Sequence, residues 1–221
     1  MVHEFAKLLS DRSRGSILYG LLDGRARTAG ELARLANISP QNASMHLRKL
    51  TTAGMLRQMP SGRHIYYQLL KPEVAEAFEF LEFGAAHREF PKKKDATSGI
   101  EFARTCYDHA AGRLAVMLAD ALVKKRLLDS ADHNFSLTAK GAVFLADWGV
   151  DVKQLATGQR TLTRACLDWT ERRFHLAGAL GAAVLRTFLE RKWLLRSREP
   201  RLLRVTYEGR VVLNRELSLS L

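Results

Sequence analysis

The sequence predicts a mostly helical α+β protein in two parts: a compact N-terminal domain, and a longer C-terminal domain built from two degenerate repeats. Three observations carry this reading. Helix start and stop signals recur at short intervals over the first ninety residues. A basic stretch without apolar periodicity, 91–99, carries Pro91, three lysines and Gly99 and marks a linker. Behind it, blocks of sequence recur in the same order.

The elements follow in chain order. Residues near 3–10 and 13–23 carry helical patterning, with Ile17, Leu18, Leu21 and Leu22 on one face and Gly24 as the stop. Thr28 caps the next helix and Glu31 completes a capping box, while Asn37 ends it. Ser39 as N-cap and Pro40 at the first helical position open a helix running to about Thr52, with Ala43, Leu47 and Leu50 turned to the core. The runs 55–59 and 64–69 read as strands joined by a turn at Pro60-Ser61-Gly62-Arg63. A helix after Pro72 places Val74, Ala77, Phe78 and Leu81 at helical spacing. Helix, helix, helix, hairpin, helix is the order of a winged helix-turn-helix, expected over 1–90.

Composition narrows the partners. The chain of 221 residues has 35 Lys and Arg against 23 Asp and Glu, a net charge of +12. That surplus favours a polyanion, because each neutralised phosphate releases condensed counterions. No apolar run approaches the roughly 20 residues of a membrane-spanning helix, and the N-terminus lacks the pattern of a secretory signal. A cytoplasmic protein with no membrane partner is expected. Two cysteines, Cys106 and Cys166, are too few for a disulfide framework.

On the helix from Pro40, the side opposite the core presents Gln41, Asn42, Ser44, Met45, Arg48 and Lys49, next to Ser39. Amides can read adenine, hydroxyls either partner, and a thioether the thymine methyl. Arg63 and His64 at the hairpin tip suit phosphate or minor-groove contact. A solvated polar face would explain the helix alone; the short helix before it and the basic hairpin tip favour double-stranded DNA.

The residues then point to a family. Asp11-Arg12-Ser13-Arg14 with Ile17-Leu18, Thr28-Ala29-Gly30-Glu31-Leu32-Ala33, the run from Ile38 to Leu50, Ala53-Gly54-Met55-Leu56 and Arg63-His64-Ile65-Tyr66-Tyr67 resemble the successive motifs of ArsR-type repressors. The resemblance covers residues 3 to about 85. It implies a homodimer, paired through the first helix and the helix after Pro72, reading a palindromic operator. Two departures matter. The helix Glu31–Asn37 lacks the cysteine motif of metal-sensing members, and Glu73, Glu76, Glu79, Glu82 and His87 show no ligand spacing on the dimerisation helix. No metal ligand is assigned from the sequence.

In 100–221, Arg104-Thr105-Cys106-Tyr107-Asp108 matches Arg164-Ala165-Cys166-Leu167-Asp168, and the block from His109 to Leu114 matches that from His175 to Leu180. Six residues, Trp169 to Phe174, are inserted in the second copy. Phe135–Gly141 echoes Leu203–Gly209. Each copy reads as a long helix, a short hairpin and a shorter helix. Effector or redox candidates are Cys106, Asp108, His109, Cys166, Asp168, Trp169 and His175. Cys106 and His109 would share a helical face, as would Asp168, Glu171, Arg172 and His175. On an unbroken helix Cys166 would lie half a turn out of phase with His175.

Three readings of this constellation stay open: buried structural thiols in a polar network, a thiol switch between the cysteines, and a small-molecule or metal site. Trp148, Trp169, Trp193, Phe174 and Phe188 suit either a core or an aromatic effector pocket. No Gly-rich phosphate loop, nucleophile elbow or zinc-protease helix is present, so no catalytic residue is assigned and no enzyme is expected. The cofactor is unknown. The expectation is a DNA-binding transcriptional regulator, a homodimeric repressor that senses a small-molecule or thiol-reactive effector through its C-terminal domain. The rivals are an enzyme dimerised by a winged helix, such as a methyltransferase, and a DNA-binding module whose second half only supports dimerisation or protein contacts.

Overall fold

The structure, a computed structural model, describes residues 2–71, 73–75, 77–78, 81, 97–131 and 134–221. It divides into two compact units, Met1–Glu79 and Phe80–Leu221.

The first unit contains α1 (Val2–Leu9), α2 (Arg12–Leu21), β1 (Arg27–Thr28), α3 (Ala29–Ala36), α4 (Pro40–Thr52), β2 (Leu56–Ser61) and β3 (His64–Leu69). Local chemistry sets the boundaries. The Asp11 carboxylate accepts from the Arg14 N–H at 2.9 Å and opens α2. Thr28 and Glu31 form the reciprocal capping box of α3. Asn37 ends α3 in the left-handed conformation at φ 52°, which an Asn side chain tolerates better than most. Ser39 caps α4, and Pro40 occupies a position where its missing N–H costs nothing. The three strands form an antiparallel sheet in the order β1-β3-β2, with Ser61 opposite His64 at the tip.

Ile17, Leu18, Leu21, Leu22, Leu32, Leu47, Leu50 and Leu69 are fully buried. Each contributes about 1.5–3 kcal/mol of transfer free energy, so the helices are held by their apolar faces more than by their caps. Asp23 takes a two-pronged ion pair from Arg27 at 2.7 and 2.8 Å, fixing the chain between α2 and β1. Residues 73–75, 77, 78 and 81 are helical. Residues 91–96 of the expected linker, and Glu76, Glu79, Glu82 and His87, lie outside the described residues.

The second unit corrects the long helices expected at the start of each copy. Residues 104–111 form a hairpin of β4 (Arg104–Cys106) and β5 (His109–Ala111), and only then does α5 (Arg113–Lys124) begin. The second copy has β8 (Arg164–Leu167) and β9 (Phe174–Ala177) before α8 (Gly178–Glu190). The Asp168–His175 stretch is therefore a hairpin end, not a helical face. A second hairpin and a helix follow in each copy: β6 (Leu128–Ala131), β7 (Asn134–Leu137) and α6 (Ala139–Asp147) in one, β10 (Leu194–Arg196), β11 (Leu203–Val205) and α9 (Tyr207–Leu217) in the other. A short α7 (Val152–Ala156) links them.

The copies pack reciprocally. Helix α5 lies against β9, and α8 against β5. The backbone of Thr105 donates to the Arg201 carbonyl at 2.8 Å, beside the second copy's outer hairpin. The Thr163 hydroxyl, just before β8, correspondingly donates to the Phe135 carbonyl at 2.5 Å. One continuous core results, including Leu118, Leu122, Leu180, Val184, Phe188, Trp148 and Trp193.

The Thr-x-x-Gly echo has a structural cause. Thr138 and Thr206 cap α6 and α9 by accepting from the N–H of Gly141 and Gly209, at 2.9 and 3.0 Å. The same threonines donate to the Leu127 and Trp193 carbonyls. That draws each helix so close that a Cβ on Gly141 would fall 1.9 Å from the Leu127 oxygen, and one on Gly209 2.2 Å from the Trp193 oxygen. Gly141→Ala and Gly209→Ala should each destabilise the protein by about 1–3 kcal/mol, read from urea unfolding, whereas Gly30→Ala, with open space around it, should be nearly neutral.

Candidate functional site

Two regions carry the candidate chemistry. In the first unit, α4 buries Ala43, His46, Leu47 and Leu50. The remaining face leaves Gln41, Asn42, Ser44, Met45, Arg48 and Lys49 exposed together, and Ser39, Arg63 and His64 are exposed as well. Two of these hydroxyls are partly engaged. Ser39 accepts from the Asn42 N–H at 3.2 Å, and Ser44 donates to the Pro40 carbonyl at 2.9 Å. Gly62 adopts φ 57° in the two-residue turn that turns Arg63 and His64 out at the hairpin tip. His46, which the sequence did not single out, is buried with Nδ1 3.9 Å from Asp11.

In the second unit, the hairpins juxtapose the cysteines and histidines. Cys106 pairs across the strands with His109, and Cys166 with His175. The six inserted residues lie toward the tip of the second hairpin and leave the Cys–His pairing unchanged, so the nine-residue spacing still produces neighbours. Strands β5 and β9 lie together, and the two imidazoles stand 5.1 Å apart between ring centroids. One ligand atom from each of Cys106, His109, Cys166 and His175 lies within 4.8 Å of all the others. The sulfurs are 3.9 Å apart and neither cysteine is in a disulfide. Cys106 and both histidines are buried.

Each histidine has a carboxylate on its Nδ1 side. Asp108 Oδ1 is 3.3 Å from His109 Nδ1, and Asp168 Oδ2 is 3.4 Å from His175 Nδ1, the latter without hydrogen-bond geometry. Asp108 is also bound by the guanidinium of Arg160. Nε2 of His109 and of His175 makes no well-formed hydrogen bond. Asp168 has no exposure. It accepts from Arg104 Nη2 at 3.0 Å, the Gly112 N–H at 2.7 Å, and the Thr170 N–H and hydroxyl at 3.0 and 2.6 Å.

These contacts shape the protonation states. Burial would raise the Asp168 carboxyl, but Arg104, His175, Thr170 and Gly112 together hold it well below the usual range. Burial likewise opposes ionisation of Asp108, which His109 and Arg160 nevertheless bring down to about 2. The Cys166 sulfur is held far below an ordinary thiol, chiefly by the Cys106 thiol, against burial and with help from both histidines. Burial lowers His175, while in His109 the adjacent Asp108 and Cys166 outweigh burial and raise it.

Trp169 sits apart from the other aromatic candidates, under the Arg104 guanidinium at 4.7 Å. Trp148, Trp193 and Phe188 pack edge-on against one another in the core, and Phe174 packs at its margin. Arg104 was visible in the sequence only as a repeat match; nothing there distinguished it from its counterpart Arg164, which is half-buried.

The first unit has the architecture of a winged helix-turn-helix. A helix-turn-helix domain family matches residues 9–58. The chain is 42% identical, over its full length and 98% of the relative, to the uncharacterized HTH-type transcriptional regulator YdfF of Bacillus subtilis (strain 168). Over 75 residues, 34% of this chain and 82% of the other, it is 35% identical to the transcriptional repressor SdpR of the same organism. Among solved structures, reduced HlyU from Vibrio cholerae N16961 matches 38% of this chain and 88% of its own, at 26% identity and a TM-score of 0.35. The chain belongs to the HTH-type transcriptional regulators. It is a DNA-binding transcriptional regulator. No helix among the described residues is long and apolar enough to cross a membrane.

Asp168→Ala should cost about 3–5 kcal/mol, because it strands the buried Arg104 guanidinium without a counter-charge. Chemical unfolding checks this. Arg173→Ala, which removes the exposed pair with Asp120, should cost less than about 1 kcal/mol.

Proposed function

We propose that the protein is a homodimeric repressor that reads double-stranded DNA through α4 and the β2–β3 hairpin, under control of a signal received by the C-terminal domain. The carrying observation is the α4 face: Ala43, His46, Leu47 and Leu50 form its buried stripe, while the side chains of Gln41, Asn42, Met45, Arg48 and Lys49 are exposed together. Gln41 and Asn42 then read base edges near the helix N-terminus, and Arg48 and Lys49 reach base edges or phosphates. Arg63 and His64 contact the backbone or the minor groove beside it. The name of SdpR as a repressor supports the same direction of control.

In this reading residues 1–90 form the DNA-binding and dimerisation domain, 91–99 the linker and 100–221 the sensing domain. The Cys–His cluster supports the last assignment, since it gathers four polarisable or ligating side chains at one point beside the apolar core of that unit. The signal acts by favouring one spacing of the two recognition helices over another.

Fluorescence anisotropy on duplexes from upstream of the protein's own coding sequence tests the DNA reading. Gln41→Ala or Asn42→Ala should weaken binding by about 1–3 kcal/mol and relax sequence preference, and Arg63→Ala should reduce the salt slope of binding by about one. Binding that ignores salt, or that is unchanged in all three variants, contradicts the reading.

A further inference from the structure

We propose that Cys106, His109, Cys166 and His175 form a closed tetrahedral site for a divalent cation of the zinc class, clasping the two repeat copies to one another. Two ligands come from the β4–β5 hairpin and two from β8–β9, so the ion bridges elements that are distant in sequence.

The donor set is the first argument. Two thiolates and two imidazoles around one point select a tetrahedral, borderline-soft ion over calcium or magnesium, which take oxygen. The spacing is the second. Sulfurs on a common zinc at about 2.3 Å stand about 3.8 Å apart at the tetrahedral angle, and the observed separation is 3.9 Å. A disulfide instead requires them to close to about 2.05 Å.

The histidines supply the third. Nε2 of His109 and of His175 is buried and makes no well-formed hydrogen bond, a costly arrangement unless the lone pair meets a donor or a cation. A disulfide between the cysteines would leave both nitrogens as they are, whereas a cation takes both lone pairs. Asp108 stands at the opposite ring nitrogen of His109, the carboxylate–histidine–metal arrangement that fixes ring orientation and raises ligand basicity, and Asp168 lies 3.4 Å from that of His175 without a hydrogen bond. Two thiolates neutralise the dication, so no net charge is buried with it. Any proton still on sulfur passes to solvent as the ion binds. With four protein ligands no position is left open, which makes the site a clasp and not a hydrolytic centre.

The repeat pairs these ligands two by two, Cys106 with Cys166 and His109 with His175, and the carboxylates likewise. Each copy alone offers two ligands, half a site. The site is complete only when the copies are packed together.

The test uses the full-length chain, reduced and stripped of metal, titrated with Zn2+ against a chromophoric chelator and separately with Co2+. One ion per chain is expected, with Co2+ giving the d–d bands of a tetrahedral ion and a thiolate charge-transfer band in the near ultraviolet. Asp108→Asn should weaken binding by about 10- to 100-fold, and Cys106→Ser or His175→Ala by more. Should those variants fail to fold, the wild-type protein decides: its melting temperature rises with Zn2+ and falls on chelation. Absence of Zn2+ and Co2+ binding by the reduced wild-type chain overturns the proposal. So does a Co2+ spectrum lacking thiolate character, or a Cys106–Cys166 disulfide that forms in place of metal uptake. Metal is read on the protein alone, so failure here leaves the DNA-binding reading standing, and the reverse holds too.

Discussion

The C-terminal unit depends on one constraint: two short hairpins, each pairing a cysteine with a histidine across its strands, must stand side by side with their polar groups inward. Strands of three or four residues cannot hold such an arrangement through their own ladders. They are fixed instead by exchange between the copies. Helix α5 covers β9, α8 covers β5, and Asp168 reaches from the second hairpin to the residue that caps α5, accepting the Gly112 N–H. Asp168 also neutralises Arg104, which lies wholly within the unit. Remove that carboxylate and a guanidinium, a backbone donor and the loop from Thr170 lose their common acceptor.

The same exchange explains why the repeat matters chemically. Duplication alone would yield two separate Cys–His pairs. Reciprocal packing superposes them about one point, and burial then makes their satisfaction energetically important. The cation proposed above would answer that requirement with four bonds, with Asp108 holding the His109 ring to receive it.

The first unit was legible because its signals are local. A Thr28–Glu31 box, an Asn37 in the left-handed conformation, a Ser39-Pro40 start and a Gly62 turn each act within a few residues, so the elements could be read without knowing the packing. The cluster was harder. Residues three apart are neighbours on a helix, and they are equally cross-strand partners about a two-residue turn, so Cys106 and His109 fit both. The spacing of Cys166 and His175 was the better clue, since a helix could not bring them together and a hairpin with a longer end loop does. The repeat was legible, and applying its second copy's geometry to its first would have corrected the helix. Arg104 and His46 could not be found this way, because their burial is set by long-range packing.

The N-terminal unit leaves the polar side chains of α4 exposed, while the C-terminal unit gathers its cysteines and histidines inside. The measurement that bears most directly on the clasp is X-ray absorption at the zinc edge on protein purified under reducing conditions and loaded with one equivalent of Zn2+. The account predicts two sulfur scatterers at about 2.3 Å and two imidazole nitrogens at about 2.0–2.1 Å. A shell made only of oxygen and nitrogen, or one with a single sulfur, would contradict it.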